Sequence, residues 1–258
     1  MQNPSYQARL AAPVFAMLGL LCLVPPGTAQ AIGVGQMDTF SDGSLQDWMM
    51  GISTVTTSHM TNIADGGPTG AGDNFLQVVS DGPPPPGTSG QGSRMTFFNQ
   101  LQWTGDYTAA GVTAIGMNLK NLSVGETLNL RLAIDGGTGL SFNRTGGVFA
   151  TAASISLDPG SDWTRVVFSL RPADLISVSS IGGHATGNNV EATLANVTEL
   201  RLLNSATPDW NGLQVVGTLA VDNIQAVPLP PAFALFSSGF VVLVTRRRKQ
   251  ILSGMKGS

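Results

Sequence analysis

Residues 127–135 read TLNLRLAID, and the alternation in this stretch limits what the chain can fold into. Leu128, Leu130, Leu132 and Ile134 lie on one face of an extended backbone, with Asn129, Arg131 and Ala133 on the other. Such a strand is half-buried and needs neighbours to take up its backbone N–H and C=O groups. Similar runs rich in Val, Ile, Thr, Leu and Phe recur between clusters of Gly, Asn, Asp and Pro. They predict strands at 36–41, 48–57, 74–80, 93–99, 110–120, 126–135, 147–157, 163–170, 197–204 and 215–226. A modest helical signal appears in RPADLISV, with Pro172 at a first turn. No period of about 20–50 residues recurs, which disfavours a propeller or solenoid. The expected fold is all-β, a two-sheet antiparallel sandwich of jelly-roll type.

The two ends of the chain carry different signals. Arg9 precedes an apolar run from Leu10 to Val24, followed by Pro25-Pro26-Gly27 and Ala29-Gln30-Ala31. This order is that of a secretory signal peptide cleaved after Ala31. Leu21, directly before Cys22, is too large for a lipid-attachment site. Cleavage removes Cys22, the only cysteine, so the exported body must fold without disulfides. At the other end, Leu229–Thr245 approaches the lower length limit for crossing a bilayer, and Arg246, Arg247, Arg248 and Lys249 behind it favour the cytoplasmic side.

The succession Val227-Pro228-Leu229-Pro230, an apolar run containing Gly239, then Arg246-Arg247-Arg248-Lys249 resembles the PEP-CTERM sorting domain in its VPLP variant. That domain occurs in Gram-negative bacteria that make exopolysaccharide, and its common form has Glu where this chain has Leu229. The resemblance implies transient anchoring by a C-terminal hydrophobic helix in the inner membrane. An exosortase-like transpeptidase would process the tail there and release the protein to the cell surface or extracellular matrix. A permanent tail anchor is the open alternative. The resulting division is a signal peptide at 1–31, a sandwich at 32–226, a sorting or transmembrane segment at 227–250 and a cytoplasmic tail at 251–258.

The body holds seven Lys and Arg against all sixteen Asp and Glu, a net charge of −9. An acidic surface repels nucleic acid and attracts cations. Its segments MDTFSDGSLQDW, GAGDNFLQVVSDG, DWTRVVFSL, NVTELRLLN and GTLAVDNIQA follow one another as in the galactose-binding-like jelly rolls, which include many carbohydrate-binding modules. The closing Val221-Asp222-Asn223-Ile224 resembles the end of their last strand. In those folds a structural calcium often sits where the first strands meet the last. The resemblance therefore implies a Ca2+ site at Asp38, Asp42, Asp73 and Asp222. Asp42-Gly43 and Asp73-Asn74 are also sufficient as turn chemistry, and that reading stays open.

Sugar binding calls for exposed aromatic faces beside polar groups. Trp48 and Trp163 begin strand-like runs and are expected in the core. Trp103, Tyr107 and Trp210 lie in turn-like surroundings and are the expected stacking residues. Catalytic signals are sparse: the histidines are His59 and His184, the glutamates Glu126, Glu191 and Glu199 are scattered, and neither G-x-S-x-G nor H-E-x-x-H occurs. The sequence thus points to an exported, non-catalytic cell-surface or matrix protein with no nucleic-acid partner. The second reading is a carbohydrate-binding module for exopolysaccharide, and the third an unrecognised polysaccharide-acting enzyme.

Overall fold

The computed structural model describes residues 32–51, 59–84, 86, 93–139, 144–179 and 185–228. The signal peptide and the tail from Leu229 onward lie outside these residues. In chain order the strands are β1 Met37–Asp38, β2 Met49–Met50, β3 Met60–Ile63, β4 Phe75–Asp81, β5 Thr96–Asn99, β6 Ala114–Asn121 and β7 Leu128–Thr138. They continue with β8 Thr145–Gly146, β9 Phe149–Thr151, β10 Ile155–Leu157, β11 Thr164–Ser169, β12 Leu175–Ser177, β13 Val197–Asn204 and β14 Val216–Val227. The helical signal at Pro172 is a single 3-10 turn, Pro172–Asp174, and a short helix, Val190–Leu194, is capped by the Asn189 side chain.

Two antiparallel sheets face each other as a jelly-roll sandwich. The first has the order β11-β6-β14-β4-β3, with β1 also on β14; the second has β12-β9-β7-β13-β5-β2, with β8 and β10 also on β7. Among the described residues no helix is long and apolar enough to cross a membrane. The core lies between the sheets. Leu128, Leu130, Leu132 and Ile134 from β7 meet Leu119, Met117, Leu219 and Val221 from the first sheet in one cluster, as the alternation predicts.

The other face of β7 departs from the half-buried expectation. Arg131 is 4% exposed and Ala133 fully buried: Ala133 clusters with Ala150 and Leu203 of the same sheet and with Val148, Val178 and Trp210, the last from the 205–213 segment that lies over this face. Burying a guanidinium is costly unless its donors are met. Arg131 satisfies this by donating to the carbonyls of Thr151 (2.6 Å), Ala152 (2.7 Å), Ser205 (3.0 Å) and Ala206 (2.7 Å). Arg201 pairs with Glu199, donates to the Trp210 carbonyl at 3.0 Å and lies 3.9 Å from the Trp210 ring centroid. These two arginines pin the 205–213 segment to the sheet.

Between the sheets one carboxylate organises the aromatic end of the core. Asp38, on β1 of the first sheet, accepts the indole N–H of Trp48 at 2.8 Å and of Trp103 at 2.6 Å. Trp48 precedes β2 and packs edge-on against Phe97 of β5, with 5.4 Å between centroids. Trp103 follows β5, and its carbonyl accepts the Tyr107 hydroxyl at 2.8 Å. Burial pushes the Asp38 carboxyl above its ordinary pKa, while the indole N–H bonds pull it down. Removing the acceptor leaves two buried donors unpaired, so Asp38→Ala is expected to cost about 3 kcal/mol or more in urea unfolding. Asp38→Asn, which keeps a carbonyl acceptor and sheds a buried charge, should retain most of the stability. Equal losses for the two variants would contradict this role.

Candidate functional site

The outer face of the first sheet is built by alternation. On β11, Val166 and Phe168 turn into the core, leaving Arg165 and Val167 outward. On β6, Ile115, Met117 and Leu119 point in, so Gly116, Asn118 and Lys120 point out. Register places Arg165 opposite Asn118 and Asn118 opposite Asp222, a straight row across three strands. Beyond Asp222, β14 carries a bulge before Gln225, and Asn223 within it has φ 51°. Asn tolerates this left-handed conformation better than most residues. The bulge turns the Asn223 carbonyl toward Arg165, which donates to it at 2.8 Å. The Asn223 N–H and side-chain amide turn back to Asp222, at 2.6 and 2.9 Å.

Arg165 lies across this face because position 116 has no side chain. A Cβ at Gly116 would sit 2.6 Å from Arg165 Nη2. The guanidinium also donates to Gln225 Oε1 at 2.9 Å and approaches Asn118 Oδ1 at 3.4 Å. Beside it, Trp163 reaches across the sheet to Phe75, edge-on with 5.4 Å between centroids, and donates its indole N–H to the Gly66 carbonyl at 3.0 Å. Trp163 is half-buried, whereas Trp48, Trp103 and Trp210 are at most 1% exposed. It is the one tryptophan of the body with surface to offer a ligand.

This reverses the aromatic expectation. Trp103 and Tyr107 are fully buried and Trp210 is 1% exposed, so none presents a ring for stacking. Trp103 is held by Asp38, Tyr107 by the Trp103 carbonyl, and Trp210 by Arg201. Trp48 is core as expected; Trp163 is not. The missed signal is the alternation in WTRVVF, where inward Val166 and Phe168 put Trp163, Arg165 and Val167 on the opposite face.

The four expected calcium ligands do not gather, and among the described residues no group of three or more His, Cys, Asp or Glu could hold a metal. Asp38 is committed to the two indoles. Asp42 is exposed and accepts the Ser44 backbone N–H and hydroxyl, each at 2.9 Å, which lowers its pKa. Asp73 and Asp222 alone remain neighbours, close enough for the Asp73 charge to act on Asp222. Of the sorting signal, Val227 ends β14 and Pro228 follows it; Leu229, Pro230 and Arg246–Arg248 lie outside the described residues. His59 Nδ1 stands 3.3 Å from Asp81, and His184 lies outside the described residues. Glu199 is occupied by Arg201 and Gln100.

Comparison with known proteins gives no matching family model and no matching curated protein. Solved structures do match. A family 11 carbohydrate-binding module from Clostridium thermocellum, in complex with a beta-1,3-1,4-mixed-linked tetrasaccharide, is 19% identical, with 76% of this chain and 97% of the module covered and a TM-score of 0.47. An exo-beta-agarase is 13% identical over 76% of this chain and 26% of its own, with a TM-score of 0.49. The mannan-recognising module TmCBM27 is 11% identical over 75% of this chain and 95% of its own, with a TM-score of 0.31.

Asp222 is 1% exposed, and burial pushes its carboxyl up to about 7; the Asn223 N–H opposes the shift and the Asp73 charge adds to it. In the unfolded chain the group titrates near its ordinary value of 3.8. Between these values the folded state binds more protons than the unfolded one, so Asp222 makes stability fall as pH rises from about 4 to 7. The effect has an upper bound on the order of 4 kcal/mol. A cation held between Asp73 and Asp222 would favour the ionised form and cancel the decline. With a chelator present, unfolding free energy should drop over this pH window in the parent and not in Asp222→Asn. Added calcium should flatten the parent's profile if the pair takes an ion, and a calcium-insensitive profile would remove the ion from the pair.

Proposed function

We propose that this chain is an exported, non-catalytic polysaccharide-binding protein of the cell surface or extracellular matrix, with the outer face of the first sheet as its binding surface. The observation that carries this reading is Trp163, a half-buried indole fixed by its N–H bond to Gly66 beside the planar polar groups of Arg165, Asn118 and Gln225. Carbohydrate recognition combines such features: an apolar ring face covers the C–H surface of a sugar, and rigidly held amide and guanidinium groups meet its hydroxyls. A sheet face that presents a ring and polar groups in one row suits an extended polymer better than a small molecule. Sugar binding is brought to this chain from its own surface chemistry.

Export and sorting complete the proposal. The signal peptide leads the chain out, the tail holds it in the inner membrane, and an exosortase-like transpeptidase processes the tail at the sorting segment 227–250. Exopolysaccharide made by the same cell is the polymer within reach. Affinity electrophoresis against a panel of bacterial polysaccharides should show retardation that Trp163→Ala reduces at least tenfold while near-ultraviolet circular dichroism stays that of a folded chain. Retardation unchanged by Trp163→Ala would move the site elsewhere. Intact mass of protein recovered from the cell surface should begin at Ile32 and lack Arg246–Lys249; a surface protein that retains those residues is a plain tail-anchored one.

A further inference from the structure

The cations of the folded body are neutralised unevenly. Arg201 pairs with Glu199 and Arg144 with Asp135, at 2.5 and 3.2 Å, and Arg131 is surrounded by four carbonyls. Arg165 differs from all three. It is exposed, its hydrogen-bond acceptors are the neutral oxygens of Asn223, Gln225 and Asn118, and among the described residues no carboxylate forms an ion pair with it. Two of these bonds use Nη1 and one uses Nη2, so among the described residues the Nε–H and one Nη2–H have no acceptor. Nε–H and Nη2–H flank one edge of the guanidinium, the fork that binds a carboxylate or sulfate through two parallel hydrogen bonds.

Resting on the reading of this face as a polysaccharide site, we propose that its ligand is an anionic glycan, held through a carboxylate or sulfate by the free edge of Arg165 and stacked on Trp163. Gly116 and the Asn223 bulge hold the guanidinium flat on the sheet before any ligand arrives, which reduces the ordering cost of binding. Lys120, outward on β6, adds a second positive charge to the same face. Asp222 shares the row with Arg165 but is 1% exposed, and among the described residues no ion pair forms between the two.

The test uses the full-length chain with polygalacturonate, its carboxyl-reduced neutral counterpart, dextran sulfate and dextran as probes. At least one acidic polymer should bind ten times or more tightly than its neutral partner; preference for polygalacturonate identifies carboxylate as the anion, and preference for dextran sulfate identifies sulfate. Arg165→Lys, which keeps the charge and loses the fork, should weaken that binding about tenfold. Gly116→Ala, which displaces the guanidinium and keeps every charge, should do the same if the variant is folded. Arg171→Gln removes a positive charge elsewhere and should change nothing. Equal binding of acidic and neutral polymers, or an equal loss in Arg171→Gln, overturns the anionic ligand and leaves polysaccharide binding standing. Absence of binding to all four overturns both.

Discussion

The carboxylate of Asp38 is the contact on which the two sheets depend at their aromatic end. It sits on a two-residue strand of the first sheet and accepts the indole N–H groups of Trp48 and Trp103, which flank strands of the second. An indole N–H buried without an acceptor is costly, so the acid is what allows two large rings into a core that contains no disulfide. The remaining contacts follow from that placement. Trp48 packs on Phe97, Trp103 fixes Tyr107, and the 39–47 loop is drawn in so that Asn62 reaches the carbonyls of Phe40 and Ser44.

This arrangement also decides where a ligand can be met. Three of the four tryptophans are enclosed, two by Asp38 and one under Arg201. The 205–213 segment lies over the outer face of the second sheet, held by Arg131 and Arg201 in the positions where the strand pattern alone would expect solvent. The first sheet keeps an open face, and its central strand β14 gives it character. One extra residue at the Asn223 bulge supplies a carbonyl to Arg165 on one side and two donors to Asp222 on the other, so the exposed cation and the buried acid are set by the same backbone irregularity.

The strands were legible in the sequence because their signal is local. Period-two alternation in TLNLRLAID and RVVF states which residues share a face, and the ladders follow it. Short elements were less legible: β3 and β12 have four and three residues, too few to establish a period, and the Val190–Leu194 helix is one turn behind an Asn cap. The site was misread for a different reason. QWTGDYTAAG and PDWNG look like exposed turns, yet Trp103 is buried by an acid 65 positions earlier in the chain and Trp210 by an arginine on β13. Composition around a tryptophan does not reveal a distant partner. For Trp163 the local pattern was sufficient, since the faces of Val166 and Phe168 assign its own. The acids show the same limit: Asp73 and Asp222 are neighbours only through the β4–β14 ladder, and nothing local separates them from Asp38 and Asp42.

The account holds that ligand binding occurs on the open face at Trp163 and leaves the enclosed aromatic groups untouched. The most direct measurement is a titration of the 15N-labelled protein with oligosaccharide fragments of a bound polysaccharide, following the four indole N–H resonances of Trp48, Trp103, Trp163 and Trp210. The predicted result is a saturable shift of the Trp163 resonance with the other three unmoved. A shift confined to Trp210, or to Trp48 and Trp103, with Trp163 unchanged, would place the ligand on the second sheet or in the core and contradict the account.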